Sequence, residues 1–514
     1  MPSGLSRAAR VPRGHALLGA ATVCALLNTA RAQTPATNDE KNRQKLEELI
    51  RQNQELQRQI EELRRAMEAP RPAAPPSKTE PAAPPAQPAP AKPASPQDAL
   101  DAALAEQPAR PPGAELPPPS KDLLSLKTGN ATLRLIDISL VADMAVGWSS
   151  VDDNSLSTLQ GGDHDPKKRG FTLQAAELGL SGAVDPYFYA QANIAYKIDP
   201  LVGETQVELE EMFAQTTSLP GGLQVKAGQY LTEFGLANST HPHAWDWMDQ
   251  PVVNSRFFGG DGMRGVGARL GWLAPLPWYS NVLVGVQNSN GETMTSFFAN
   301  EDVFAERAIG GRPFVSDHVS GVDQLTYSAR WENFFELSNE VTLKAGVSAA
   351  IGPNPTGDDA RTRIYGADFK LKWRPEKNER GWPFIIWQTE VMARDYEAAE
   401  FIDASDPANN LPGTTLHDWG MYTQVLYGFE PGWAAGIRLD WDSGSGDSVG
   451  GRSNDPFRDD RVRLSPLLVW DLSEFSRLRL QYNHDWADHL GNGHADSIYV
   501  GLEILFGAHP AHSY

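Results

Sequence analysis

Cysteine is almost missing: the 514 residues contain one, Cys24. An internal disulfide framework is therefore excluded. Long apolar runs are also missing. No stretch of 18 apolar residues occurs after the first 40, and the mean hydropathy is −0.41, so no membrane-crossing helix is expected. An excess of positive charge is absent, with 45 Lys+Arg against 65 Asp+Glu. Nucleic-acid binding needs a basic face, so no nucleic-acid partner is expected. There is no G-x-S-x-G segment and no Ser/His/acid set that a strand register would assemble, so neither an enzyme nor a cofactor is expected. None of these absences excludes a membrane β-barrel, whose strands are apolar only at alternate positions.

The first residues read as a secretory signal, 1–32. Arg7, Arg10 and Arg13 precede the short apolar core "ALLGAATVCALLNTA", and "ARA" before Gln33 is a small-residue cleavage site. Cys24 lies inside this signal in "ATVC", which is no lipobox, so the mature chain is expected to carry no lipid and no thiol.

Residues 38–68 read as a coiled coil. Leu46, Leu49, Asn53, Leu56, Ile60, Leu63 and Met67 follow one another at alternating spacings of 3 and 4. One helix cannot bury such a stripe alone, so self-association is expected. Asn53 and Ile60 at a with Leu at d lean towards a parallel dimer, and three heptads leave a trimer open. Residues 69–125, with "APPSKTEPAAPPAQPAPAKPASP", read as a Pro/Ala-rich linker, an extended spacer or a contact with the cell wall.

From residue 126 to 506 the pattern changes to strict alternation. In "DSIYVGLEILF" (496–506) Ile498, Val500, Leu502, Ile504 and Phe506 share one face. About sixteen such segments start near residues 131, 169, 187, 204, 223, 261, 280, 323, 341, 361, 383, 417, 433, 460, 476 and 496. Tight turns such as "VDP" and "EPGW" alternate with long polar loops, and tryptophans gather near segment ends. An even strand count, loops sorted by length and aromatic girdles predict an all-β transmembrane barrel of about 16 antiparallel strands. Its apolar face touches outer-membrane lipid and its polar face lines water. A soluble sandwich alternates too, but has no reason to sort its loops. Residues 507–514, "GAHPAHSY", form an extension beyond the last strand.

The stretches "ELGLSGAVDPYFYAQANIAY", "PGGLQVKAGQYLTEFGLANSTHPHAWDWMDQP" and "RFFGGDGMRGVGARLGWLAP" resemble the phosphate-selective porin O and P family, in the branch with the "HPHAW" loop. Relatives there are sometimes described as zinc-regulated outer-membrane receptors. The resemblance spans roughly 130–506 and implies a sixteen-stranded outer-membrane porin, usually trimeric. The family's phosphate-binding arginine ladder finds no residue-by-residue match. An even barrel whose last turn precedes its last strand puts both termini in the periplasm.

The strand phases predict a basic collar in the periplasmic half of the lumen, made of Lys226, Arg269, Arg330, Lys344, Lys370, Lys372, Arg477 and Arg479. Glu204, Glu208 and Glu210 are expected nearer the outside. A basic collar behind an acidic mouth predicts passive diffusion of small solutes or ions with a modest anion preference, unless lumen charges pair across strands. The loop around 235–260 is the best candidate to fold inward. Within it His241, His243, Asp246 and Asp249 could hold zinc, although their spacing matches no closed zinc motif. Two other readings stay open. One is a metal-linked receptor, weakened by the lack of a plug domain. The other is an envelope tether that uses the coiled coil.

Overall fold

The structure, a computed structural model, describes residues 125–128, 131–134, 136–199 and 202–507. The signal (1–32), the heptad helix (38–68), the linker up to residue 124 and the tail after Gly507 lie outside the described residues. Two short strands, β1 (Ser125–Thr128) and β2 (Ala131–Arg134), pair as an antiparallel hairpin. The segment expected to open the barrel near residue 131 is thus in this hairpin, and the barrel itself starts at Asp137.

Sixteen antiparallel strands close into a barrel. The first eight are β3 (Asp137–Ser149), β4 (Gly170–Ala183), β5 (Phe188–Ile198), β6 (Thr205–Thr216), β7 (Leu223–Leu231), β8 (Arg264–Leu273), β9 (Tyr279–Asn288) and β10 (Leu325–Glu336). The rest are β11 (Val341–Pro353), β12 (Arg361–Trp373), β13 (Phe384–Ala398), β14 (Thr414–Glu430), β15 (Trp433–Ser445), β16 (Arg461–Ser473), β17 (Ser476–Ala487) and β18 (His494–Gly507). Each strand pairs with its sequence neighbours, and β18 returns to β3 with Val500 opposite Val146. Closure leaves no unpaired edge, the condition for a sheet in hydrocarbon.

Alternation fixes which face points where. On β18 Ile498, Val500, Ile504 and Phe506 are exposed outward, while Tyr499, Gly501, Glu503 and Leu505 are buried inward. The outer surface carries aromatic pairs near strand ends: Trp433 stacks on its register partner Trp470 at 5.1 Å, and Trp419 meets Trp441 at 5.3 Å. Trp331 instead sits mid-strand on β10.

Of four bulges in the barrel, two lie at the turn ends of β14 and β16 and two lie inside strands, where they reverse the parity. Between β5 and β6, Asn193 pairs with Glu211 and Ile194 with Leu209, so Glu210 is an extra residue. Glu210 and Glu211 consequently both turn inward and are buried. Gln174 is the extra residue between β3 and β4.

The hydrophobic core lies inside the barrel. The loop 232–263 enters the lumen and carries helix α2 (Val252–Phe258), following the short helix α1 (Asp153–Leu159) of the first loop. Pro251 starts α2 and Gly259, at φ 84°, ends it, the usual asymmetry of helix punctuation. All seven residues of α2 are buried. Phe234, Val253, Phe257 and Phe258 pack with Met294 and Phe297 of the next loop and with Ile364, Met392 and Tyr422 of the wall.

Candidate functional site: a loop-crossed lumen

The loop 232–263 is bonded around much of the barrel wall. Gly235 N donates to Ser348 Oγ of β11 (3.1 Å), and Leu236 and Ala237 N both donate to Glu390 Oε2 of β13 (3.2 Å each). Val252 N reaches Asp440 of β15 (3.0 Å), Trp247 Nε1 reaches Ser465 O of β16 (2.9 Å), and Met248 N reaches Gln481 of β17 (2.8 Å). Asp249, fully buried, is the hub. Its Oδ1 accepts from Arg438 (2.6 Å) and Gln481 (2.7 Å), and its Oδ2 from Arg463 (2.8 Å) and Asn483 (2.7 Å). Burial alone would raise the Asp249 carboxyl, but the two guanidiniums and Gln481 outweigh it and hold it down at about 2.

The lysines and arginines named for the collar are mostly matched with acids. Arg330 is bidentate to Asp368 (2.6 and 3.0 Å). Lys226 and Arg269 share Glu233 (2.9 and 3.1 Å), and Lys344 reaches Glu332 (2.9 Å). Arg477 pairs with Asp471 (3.1 Å), and Arg479 with Glu503 (2.9 Å) and Asp143 (3.3 Å). Lys370 and Lys372 share the inward parity of the buried Asp368 and are half-buried. A cavity of about 280 Å³ between loop and wall is bordered by Trp245, Asp246, Lys344, Lys370, Gln424 and Arg438.

The acidic set divides. Glu204 is exposed and lies before β6, off the wall, because the strand begins only at Thr205. Glu208 faces Arg264 and Lys197 (3.2 Å to the latter). Glu210 meets His164 at 3.1 Å and His241 at 3.2 Å. The four residues named for zinc also part company. His241 and His243 stack at 5.6 Å against the β4 and β6 wall, Asp246 borders the cavity, and Asp249 is committed to the arginine hub. Sequence neighbours separate here because the loop crosses the lumen within these nine residues.

Sequence reasoning missed both partners and half of the lumen's charge. Glu177 and Glu211 join His241, and the bulges at Gln174 and Glu210 had hidden their direction. The loop-end half is not an acidic mouth. It holds the buried guanidiniums of Arg256, Arg394, Arg438, Arg458, Arg461 and Arg463, bonded to Asp249, Asp418, Asp459 and Asp485. The arginine at i and i+2 on β16, opposite Asp485, was the visible signal. Burial opposes charge on His164, yet Asp261 and Glu210 beside it push it up to about 10. His241 is likewise raised well above an ordinary imidazole, against burial, by Glu177, Glu210 and Glu211.

No family model matches the chain. An uncharacterized protein of Aquifex aeolicus (strain VF5) is 29% identical over 408 residues, covering 74% of this chain and 80% of that protein. Among solved structures, the anion-selective porin from Comamonas acidovorans is 8% identical, with 72% of this chain and 99% of that chain covered at a TM-score of 0.44. The outer membrane channel DcaP of Acinetobacter baumannii is 10% identical, with 72% and 97% covered at a TM-score of 0.45.

Proposed function

We propose that this protein is a passive outer-membrane channel for small hydrophilic solutes or ions. The observation that carries the reading is a closed sixteen-stranded barrel, apolar outside and charged inside, with a wall-bonded loop narrowing its lumen. A barrel of that size leaves room for an aqueous path, and a loop folded inward restricts it. Selectivity rests on the lysines that border the remaining cavity. Most lumen arginines are neutralised by buried acids, whereas no carboxylate pairs with Lys370 among the described residues. A modest anion preference, extending to phosphate-like ions, follows from that residual positive charge. Trimeric assembly and periplasmic termini belong to the same proposal and are supported by the sequence resemblance.

Planar-bilayer recording of the purified mature protein tests it. Discrete conductance steps with a reversal potential displaced towards anions in a KCl gradient are expected. A bilayer that stays silent at all voltages would overturn the channel reading, and a displacement towards cations would overturn the selectivity.

A further inference from the structure

Among the described residues most acids of the lumen are met by arginine or lysine; the exceptions include Glu390, Asp442 and a group of three adjacent ones. Glu177 of β4 and Glu210 and Glu211 of β6 meet no guanidinium or ammonium group among the described residues. Among the described residues, the basic side chains that meet them are His164, His241 and His243. All three carboxylates are buried, with Glu210 at 2% exposure.

The hydrogen bonds of His241 decide what these groups do. A carboxylate only accepts, so the 2.9 Å contact between His241 Nε2 and Glu211 Oε2 places the imidazole proton on Nε2. In a neutral imidazole the other nitrogen, Nδ1, carries the lone pair, and the neighbouring glutamates favour a proton there while no cation is bound. Nδ1 lies 3.2 Å from Glu210 Oε2 and 3.6 Å from Glu177 Oε1, and it makes no hydrogen bond. Glu210 Oε2 makes none either, and neither ring nitrogen of the buried His164 does, although its Nε2 faces Glu210 Oε1 at 3.1 Å. Two carboxylates and an imidazole nitrogen converge in a buried pocket, so something positive must lie between them, either a proton on Nδ1 or a cation.

We propose that Glu177, Glu210 and His241 bind a divalent cation of the zinc type, with Glu211 and His243 holding the ligands in position. One donor atom from each of the three lies within 4.8 Å of the others. Ligands about 2.0–2.1 Å from a tetrahedral zinc stand about 3.3 Å apart, which the separations of 3.2 and 3.6 Å match. Imidazole with carboxylate is a donor set that suits zinc. The outer contacts are those of a metal-binding histidine, whose far nitrogen is anchored by a carboxylate. Glu177 is itself oriented, by Asn193 on Oε1 and by His243 Nδ1 on Oε2 (2.8 Å). A cavity of about 20 Å³, bordered by His164, Glu210, His241 and Asp261, adjoins the group and has room for one water as a fourth ligand. It shares Ala237, Thr240 and Trp245 with the larger lumen cavity, so the site stands beside the solute path.

The site does not depend on conduction, so its test is binding. The folded full chain in detergent is dialysed against Zn²⁺ and its metal content read by atomic absorption. One ion per chain is expected, with affinity falling more than tenfold in His241→Ala and Glu210→Gln, and about 10–100-fold in Glu211→Gln. His417→Ala, at an exposed histidine paired with Asp395, leaves binding unchanged. Each variant is first checked for the heat-sensitive gel mobility of a closed barrel. Should the variants not fold, Co²⁺ added to the unaltered chain decides: intense visible bands mark a tetrahedral site, and the weak bands of hydrated cobalt overturn the proposal. Zinc that binds equally to the folded variants, or not at all, also overturns it.

Discussion

Lys344 and Lys370 stand opposite each other across the β11–β12 pair and border the same lumen cavity. Like charges directly opposed destabilise a sheet, and Glu332, 2.9 Å from Lys344, offsets the cost on one side of the pair only. In the proposed channel a passing anion would offset the rest. Lys344→Glu with Lys370→Glu is expected to move the reversal potential towards cations while leaving the barrel folded. An unchanged reversal potential in a closed double variant means that other charges set the ion preference.

Asp249 holds the inserted loop to three strands at once. Asp249→Ala takes one carboxylate from each of two buried guanidiniums, leaving Arg438 on Asp440 and Arg463 on Asp485, a loss of about 1–3 kcal/mol. That loss falls on the loop rather than on the barrel ladder, so larger and noisier conductance steps are expected with unchanged strand content by circular dichroism. Steps of unaltered size and noise count against the loop as the constriction.

The same carboxylate makes the anchorage acid-sensitive. Arg438, Arg463, Gln481 and Asn483 face it, and Asp165 of the first long loop lies within its electrostatic reach. Its folded value is depressed from 3.8 to about 2. The stabilisation is therefore complete above 3.8 and is lost as pH falls through about 2. Conductance noise from the loop is expected to rise across that window and to be already high at neutral pH in Asp249→Asn. A titration that is the same for both chains removes Asp249 from the explanation.

On the outer wall, Val347 sits mid-strand on β11, half exposed, between Trp331 and Ala367. Val347→Arg on a lipid-facing wall is expected to lower the stability of the folded barrel by about 2–4 kcal/mol, read by urea unfolding in vesicles. Ser348→Ala, one residue on but facing inward, removes bonds to Gly235 and Arg330 and should cost about 1 kcal/mol. Equal costs at the two positions would contradict a lipid-facing wall.

The barrel was legible because the period of two is written into nearly every segment. Strand starts at Leu223, Val341, Arg361, Trp433 and Ser476 agree with the alternation to the residue. The lumen was less legible for two physical reasons. A bulge inserts one residue and reverses the parity beyond it, which hid Glu177 and Glu211. Parity also says which side chains point inward but not which meet, so the pairing of Arg330 with Asp368 and the hub on Asp249 needed three dimensions. His241, His243, Asp246 and Asp249 are near in sequence, but a loop that crosses a lumen sends them to different parts of it, and of the four only His241 joins Glu177 and Glu210 in one donor group.

The anchors of the inserted loop also set an order of events in time. Trp247 and Met248 wait for Ser465 and Gln481, which emerge 218 and 233 residues later, and the seam from Ser149 to Ser497 spans 348. Contacts this distant in sequence form late, because the intervening chain must first be drawn together. A nascent barrel therefore holds its own loop only through earlier strands such as β11, β13 and β15 until the final strands arrive. The last fastening serves as a mark of completion: a chain cut short before β16 would lack Arg463, Ser465 and Gln481.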